Sequence, residues 1–194
     1  MTTHDPIPAR LAALLSDPQR PVQLVIAGKA HPSDQPGQAL VRQWIQFINS
    51  YGLHGRIVFL VDYDILVAEQ LVQGADVWIN TPRRPMEASG TSGMKVLVNG
   101  GLNLSELDGW WAEAYQPDVG WAIGDGWRSE ADPDSEVVSL YDKLERVILP
   151  LFYQQPRAFA GVMRSAIALN GSYFNAQRMI AQYMQNAYLT AGSS

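Results

Sequence analysis

Cysteine is absent from the chain, which excludes disulfide staples and thiolate metal sites and suits a reducing cytoplasm, the expected location. Positive charge is scarce as well: 14 Lys and Arg stand against 19 Asp and Glu, a formal net charge of −5. Nucleic-acid and anionic-membrane surfaces need clustered cations, so neither partner is expected. No apolar run reaches membrane-spanning length, and Met1 to Asp5 lacks the basic and hydrophobic start of a signal segment. The three histidines, His4, His31 and His54, are widely spaced and show no metal-ligand pattern. No metal is implied, and any phosphate must be held by a few local residues.

What is present is enough for one substantial core. With 194 residues, 47% of them hydrophobic, the chain fits one ordinary domain, or one with an appended helical piece. Three short runs rich in Val and Ile, Val22 to Ala27, Arg56 to Val61 and Asp76 to Asn80, alternate with helical patterns, the rhythm of parallel strands joined by crossover helices. Helices are expected over Ala9 to Leu15, over Gln38 to Ser50 with Leu40, Val41, Trp44, Ile45 and Ile48 on one face, and over Asp64 to Gln73 with Ile65, Ala68, Leu71 and Val72 on one face. Gly101 to Leu104 and Gly120 to Ile123 add two further strand candidates. Beyond about Asp132 the pattern is helical: Val137 to Leu149, Arg157 to Leu169 and Ala176 to Leu189. The fold class expected is α/β, an incomplete Rossmann-like parallel sheet over residues 1–131, followed by a helical segment over 132–194 that packs on the same domain. Ligands of such sheets lie at the carboxyl ends of the strands, in a crevice that needs a second wall. The chain offers one wall, so another chain or a larger protein is expected to supply the other.

The chemistry concentrates in Glu87-Ala88-Ser89-Gly90-Thr91-Ser92-Gly93-Met94-Lys95. Gly90 and Gly93 let backbone N–H groups approach a ligand, Ser89, Thr91 and Ser92 offer hydroxyls and a helix cap, and the first turn of a following helix attracts an anion. Lys95, one turn past Thr91, can supply an amine to a phosphate-bearing aldehyde such as pyridoxal 5'-phosphate. By the spacing alone, a capped helix with a solvated lysine is the favoured reading.

Gly28-Lys29-Ala30, Phe59 to Tyr63, Glu87 to Thr91, Met94-Lys95, Asn99-Gly100 and Leu107-Asp108-Gly109 follow one another in the order seen in glycogen and α-glucan phosphorylases, which the chain resembles over roughly residues 20 to 125. The wording Asn80-Thr81-Pro82-Arg83-Arg84-Pro85-Met86-Glu87 and the paired Trp110-Trp111 are similar to the shorter bacterial members. That resemblance implies one of two Rossmann-like domains of a GT-B arrangement, with the active site between them. It also implies pyridoxal phosphate as cofactor and transfer of the terminal glucose of an α-1,4-glucan to inorganic phosphate, giving glucose 1-phosphate. By the same resemblance Lys95 matches the Schiff-base lysine, Gly90, Thr91 and Ser92 the contacts to the cofactor phosphate, and Tyr63 a tyrosine beside the cofactor. Position 92 is often glycine in the animal enzymes. Glu87, Ser89 and Gly90 match contacts to the transferred glucose, and Lys29 a lysine that steadies the two phosphates. Family members are several times longer, and the N-terminal domain has no counterpart here. The expectation is a C-terminal portion that is inactive alone.

Plainer roles stand beside these. Lys29 suits a snorkelling side chain at a sheet edge, Tyr63 a core ring, and Glu87 a first-turn acid facing the helix dipole. Arg83 and Arg84, between two prolines, are expected to be solvated and outside the site. Trp110, Trp111, Tyr115, Trp121 and Trp127 are expected mostly to pack, although rings also stack on sugars. Glu130, Asp132, Asp134 and Glu136 read as a solvated loop and helix start. A nucleotide-sugar glycosyltransferase fragment of the glycogen or starch synthase type, and a non-catalytic carbohydrate-binding or interaction piece, are the competing functions.

Overall fold

The computed structural model describes residues 6–124 and 132–189. Trp127 and Glu130 lie outside the described residues. The chain divides into two compact units, Met1–Ala68 and Glu69–Ser194.

In the first unit, α1 (Pro6–Ser16) leads to β1 (Leu24–Ala27), α2 (Gln35–Tyr51) and β2 (Ile57–Leu60). β1 and β2 pair in parallel, Leu24 opposite Ile57 and Ala27 opposite Leu60. The boundaries of α2 follow from local chemistry. Asp34 accepts the Gly37 N–H at 3.0 Å, Pro36 occupies the first turn, and Gly52 in the left-handed conformation ends the helix. The face expected for α2 is only partly right, because Phe47 and Ile48 are its buried residues while Leu40 and Ile45 are exposed. Phe47 and Ile48 join Leu14, Leu15, Leu53 and Ile57 as the buried apolar side chains here. α3 (Ile65–Gly74) crosses the division. Its anticipated apolar face is not buried: no residue of α3 is, and Ile65 is 83% exposed. Periodicity reports which residues share a face, and only a packed neighbour removes that face from water.

The second unit holds β3 (Val77–Asn80), α4 (Thr91–Val98), β4 (Leu102–Glu106), α5 (Trp110–Ala114) and β5 (Gly120–Ile123). Its strands form a parallel sheet in the order β3-β4-β5. Every residue of β4 and β5 is buried, although β4 alternates Leu102 and Leu104 with the polar Asn103, Ser105 and Glu106, so both faces of that strand are covered. α6 (Pro133–Lys143) passes through a widened π turn, Leu144–Ile148, into α7 (Leu149–Gln154); α8 (Pro156–Ala166) and α9 (Ala176–Tyr183) follow. Leu97, Leu102, Leu104, Trp110, Trp111, Trp121, Ile123, Ile148, Phe159 and Ala166 form one buried cluster. The chain from the π turn through α8 therefore packs on this sheet, through Ile148, Phe159 and Ala166, and these tryptophans serve as core, with the Trp111 indole N–H donating to the Trp121 carbonyl at 3.3 Å.

Candidate functional site

The loops that leave the carboxyl ends of β3 and β4 meet. From β3 the chain runs through residues 81–90 to α4, and from β4 it turns through Leu107, Asp108 and Gly109 into α5. Asp108 Oδ2 accepts the Glu87 N–H at 3.0 Å, and the Trp110 N–H donates to the Ser89 carbonyl at 2.8 Å. Ser89 in turn donates its N–H to Glu87 Oε1 at 3.3 Å. Glu87 thus lies in a pinned loop, not in the first helical turn.

α4 starts at Gly90, whose φ of 82° places it in the left-handed region, and no side chain caps the helix. The hydroxyl cap anticipated from Ser89, Thr91 and Ser92 does not form. In consequence the N–H groups of Thr91 and Ser92 have no partner among the described residues, and these orphan donors are what an anion at a helix start uses. Lys95 sits on the next turn, in the last turn of this eight-residue helix, exposed; its carbonyl accepts the Asn99 side-chain amide at 2.8 Å, and its ammonium has no partner among the described residues. The inner side of α4 is fixed. Gly93, Val96 and Leu97 are buried, and the Asn103 amide donates to the Gly93 carbonyl at 3.1 Å. A Cβ on Gly93 would come within 2.5 Å of Asn103 Oδ1 and 3.0 Å of Trp110 Nε1. Thr91, Ser92 and Lys95 stand at the first, second and fifth positions of this closely seated helix, so one turn separates the hydroxyls from the amine. Those donors fit a phosphate-bearing aldehyde.

Lys29 and Tyr63 belong to the first unit. Lys29 lies two residues beyond β1 and Tyr63 three beyond β2, so both leave the same end of that parallel pair. Lys29 is exposed and Tyr63 is 37% exposed.

A second group, unforeseen from sequence, lies at the carboxyl end of the three-stranded sheet. Arg84 is not solvated: its guanidinium lies 2.6 Å from Glu136 Oε1 on α6 and 3.4 Å from Glu106 Oε2 at the end of β4. Glu106 is only 2% exposed, and its carboxyl is pushed up to about 7, first by burial and then by the charge of Glu136, with Arg84 opposing. The Gly124 N–H and the Lys143 ammonium both donate to Ser139 Oγ, tying α6 to the end of β5. Asp132 caps α6 through the Asp134 N–H at 3.2 Å, so two members of the acidic series have structural partners. Only the proline spacing around Arg84 hinted at a fixed loop; its partners lie 22 and 52 residues away in the chain.

The family model for carbohydrate phosphorylase matches residues 10–119. Glycogen phosphorylase of Mycobacterium bovis is 43% identical over 195 residues, covering 96% of this chain and 23% of that protein. Glycogen phosphorylase of Aquifex aeolicus is 41% identical, covering 92% of the chain and 27% of the relative, and maltodextrin phosphorylase of Thermococcus litoralis is 38% identical, covering 94% and 22%. The chain therefore spans about a quarter of the length of these relatives. Among solved structures, HepE of Anabaena in complex with UDP superposes with a TM-score of 0.61 at 20% identity, over 94% of this chain and 45% of that one. That likeness is one of fold, the incomplete parallel α/β architecture of GT-B proteins. On the family match and the identities with its relatives, the chain belongs to the carbohydrate phosphorylase family.

Proposed function

We propose that this chain is the C-terminal portion of a pyridoxal-phosphate-dependent α-1,4-glucan phosphorylase that releases glucose 1-phosphate from glycogen or maltodextrin. It works in the cytoplasm with an N-terminal domain that closes the cleft. The observation that carries the reading is the open start of α4, with two unpaired N–H groups above an unpaired lysine amine. Lys95 would hold the cofactor covalently, Gly90, Thr91 and Ser92 would hold its phosphate, and Tyr63 would lie beside it. When bound, the cofactor supplies a phosphate that gives or takes a proton beside the substrate phosphate. Lys29 steadies negative charge as it gathers on the phosphates while the glycosidic bond breaks. Glu87 and Ser89, with the Gly90 backbone, bind hydroxyls of the transferred glucose, and paired hydroxyls discriminate more sharply than apolar fit.

Borohydride reduction after incubation with pyridoxal 5'-phosphate, followed by peptide mass spectrometry, is expected to find the adduct on Lys95 and to lose it in Lys95→Ala. Labelling scattered over other lysines, or unchanged in the variant, would remove the central assignment. The polypeptide by itself is expected to give no phosphorolysis of maltodextrin, because it spans about a quarter of the length of its phosphorylase relatives. The fold likeness to HepE, a protein solved with UDP, favours a second reading, a nucleotide-sugar glycosyltransferase fragment. Saturable UDP binding without labelling of Lys95 would select it.

A further inference from the structure

We propose that Asp108 is a positioning residue: through Asp108-Gly109-Trp110 it presents Glu87 and Ser89 to the transferred sugar. The proposal rests on the reading just given, in which those two residues bind glucose.

Loops have many conformations of similar energy, and a sugar-binding carboxylate on a loop is useful only if the backbone behind it is held. Here both ends of the Glu87–Ser89 segment are tied to one tripeptide. Asp108 Oδ2 accepts the Glu87 N–H at 3.0 Å while its Oδ1 accepts the Gly109 N–H at 2.9 Å, so both oxygens of one charged group are engaged by backbone donors. The Trp110 N–H closes the other end on the Ser89 carbonyl at 2.8 Å. Gly109 makes the approach possible: its φ is 53°, and a Cβ there would lie 2.6 Å from the Ser89 carbonyl oxygen and 2.9 Å from Glu87 Cγ. Because the Ser89 N–H also donates to Glu87 Oε1, fixing the backbone of the loop fixes one oxygen of the Glu87 carboxylate. The remaining oxygen, Oε2, has no partner among the described residues. Trp110 extends the same support toward the helix, its ring lying 3.5 Å from where a Gly90 Cβ would stand.

The test uses the complete assembly, this chain with the polypeptide that supplies the rest of the phosphorylase, and compares Asp108→Ala with Asp108→Asn. The amide keeps an acceptor for the Glu87 N–H, whereas alanine keeps none. Asp108→Ala is expected to lower kcat/KM for maltodextrin by about 10- to 100-fold, the usual scale for losing a charge-assisted bond. KM for inorganic phosphate and borohydride labelling of Lys95 should stay within about twofold, and Asp108→Asn, whose one amide oxygen can serve the Glu87 N–H while its NH2 group cannot accept from the Gly109 N–H, should restore part of the loss. Unchanged kcat/KM in Asp108→Ala, or a loss shared equally by phosphate KM and Lys95 labelling, overturns the proposal.

Hydrogen exchange separates failure of this idea from failure of the functional reading. On this chain alone the Glu87 amide is expected to exchange about tenfold faster or more in Asp108→Ala than in the parent, with the core of β4 unaffected. If the parent assembly neither labels Lys95 nor turns over glucan, the functional reading falls and the assigned role falls with it. If the parent does both and the Glu87 amide is indifferent to position 108, the clamp alone is wrong.

Discussion

Glu106 is a carboxyl whose environment opposes its charge. It is 2% exposed at the end of β4, and burial, Glu136 and Asp108 push its pKa up while Arg84 and Lys143 pull it down, leaving it near about 7 against an ordinary 4.5. A folded-state pKa above the unfolded one means that the folded protein holds a proton the unfolded chain has released. Stability from this group is therefore complete below the ordinary value, declines as pH rises toward 7, and stays flat beyond. The decline expected across that window is roughly 2–3 kcal/mol, and Glu106→Gln should reduce it to under about 1 kcal/mol in urea unfolding followed from pH 5 to pH 8. A slope that survives the substitution would assign the titration to another group. Arg84 gives the complementary result. Its guanidinium lies between Glu106 and Glu136, so Arg84→Ala should cost about 3–5 kcal/mol at pH 8, above the raised pKa of Glu106, and less at pH 5. Gly93→Ala is expected to cost about 1–3 kcal/mol at either pH, because the added Cβ meets Asn103 and the Trp110 ring.

At the scale of elements, the helices divide by what holds them. α4 has only eight residues and an uncapped start, so it stands by packing Val96 and Leu97 into the core, not by its own propensity. α9 is the opposite case: it buries no residue, and its start depends on Asn175 Oδ1 accepting the Arg178 N–H at 2.9 Å and on the Arg178 guanidinium 3.9 Å over the Tyr173 ring. Asn175→Ala should accordingly cost about 1 kcal/mol locally and speed amide exchange in α9 while leaving β4 protected. The helix expected over Val137 to Leu149 is longer in the structure and interrupted by the π turn at Leu144–Ile148. Pro150 lies two residues past that turn; it has no N–H for the Arg146 carbonyl, and its ring crowds that carbonyl, so the ladder widens ahead of it. α5 escaped the sequence reading because five residues are too few to display a helical period.

For the whole molecule, the unusual quantity is exposed apolar surface. Met179, Ile180, Tyr183, Met184, Tyr188 and Leu189 are all more than two-fifths exposed along the terminal helix, in a chain spanning about a quarter of its relatives' length. Such a face on an isolated polypeptide promotes association. Sedimentation velocity should show concentration-dependent self-association of the chain, weakened by Ile180→Glu with Tyr183→Glu. A strictly monomeric chain at high concentration would contradict this.

Much of the candidate site was legible as a cluster because it is contiguous. Glu87 to Lys95 carries its donors, glycines and amine within nine residues, so one loop and the short helix after it bring them together, and the positions of β1, β2 and β3 followed from short Val and Ile runs bounded by turn residues. Tertiary structure decided the rest. Arg84 looks solvated beside its prolines until Glu106 and Glu136 are brought to it, and Asp108 looks like a turn residue until its carboxylate meets the Glu87 N–H. The faces of α2 and α3 illustrate the same limit, since Leu40 and Ile65 have the right spacing but no covering neighbour. Sequence pattern determines which groups one element presents; charge pairing, burial and pKa depend on distances between elements, and those exist only once the chain has folded.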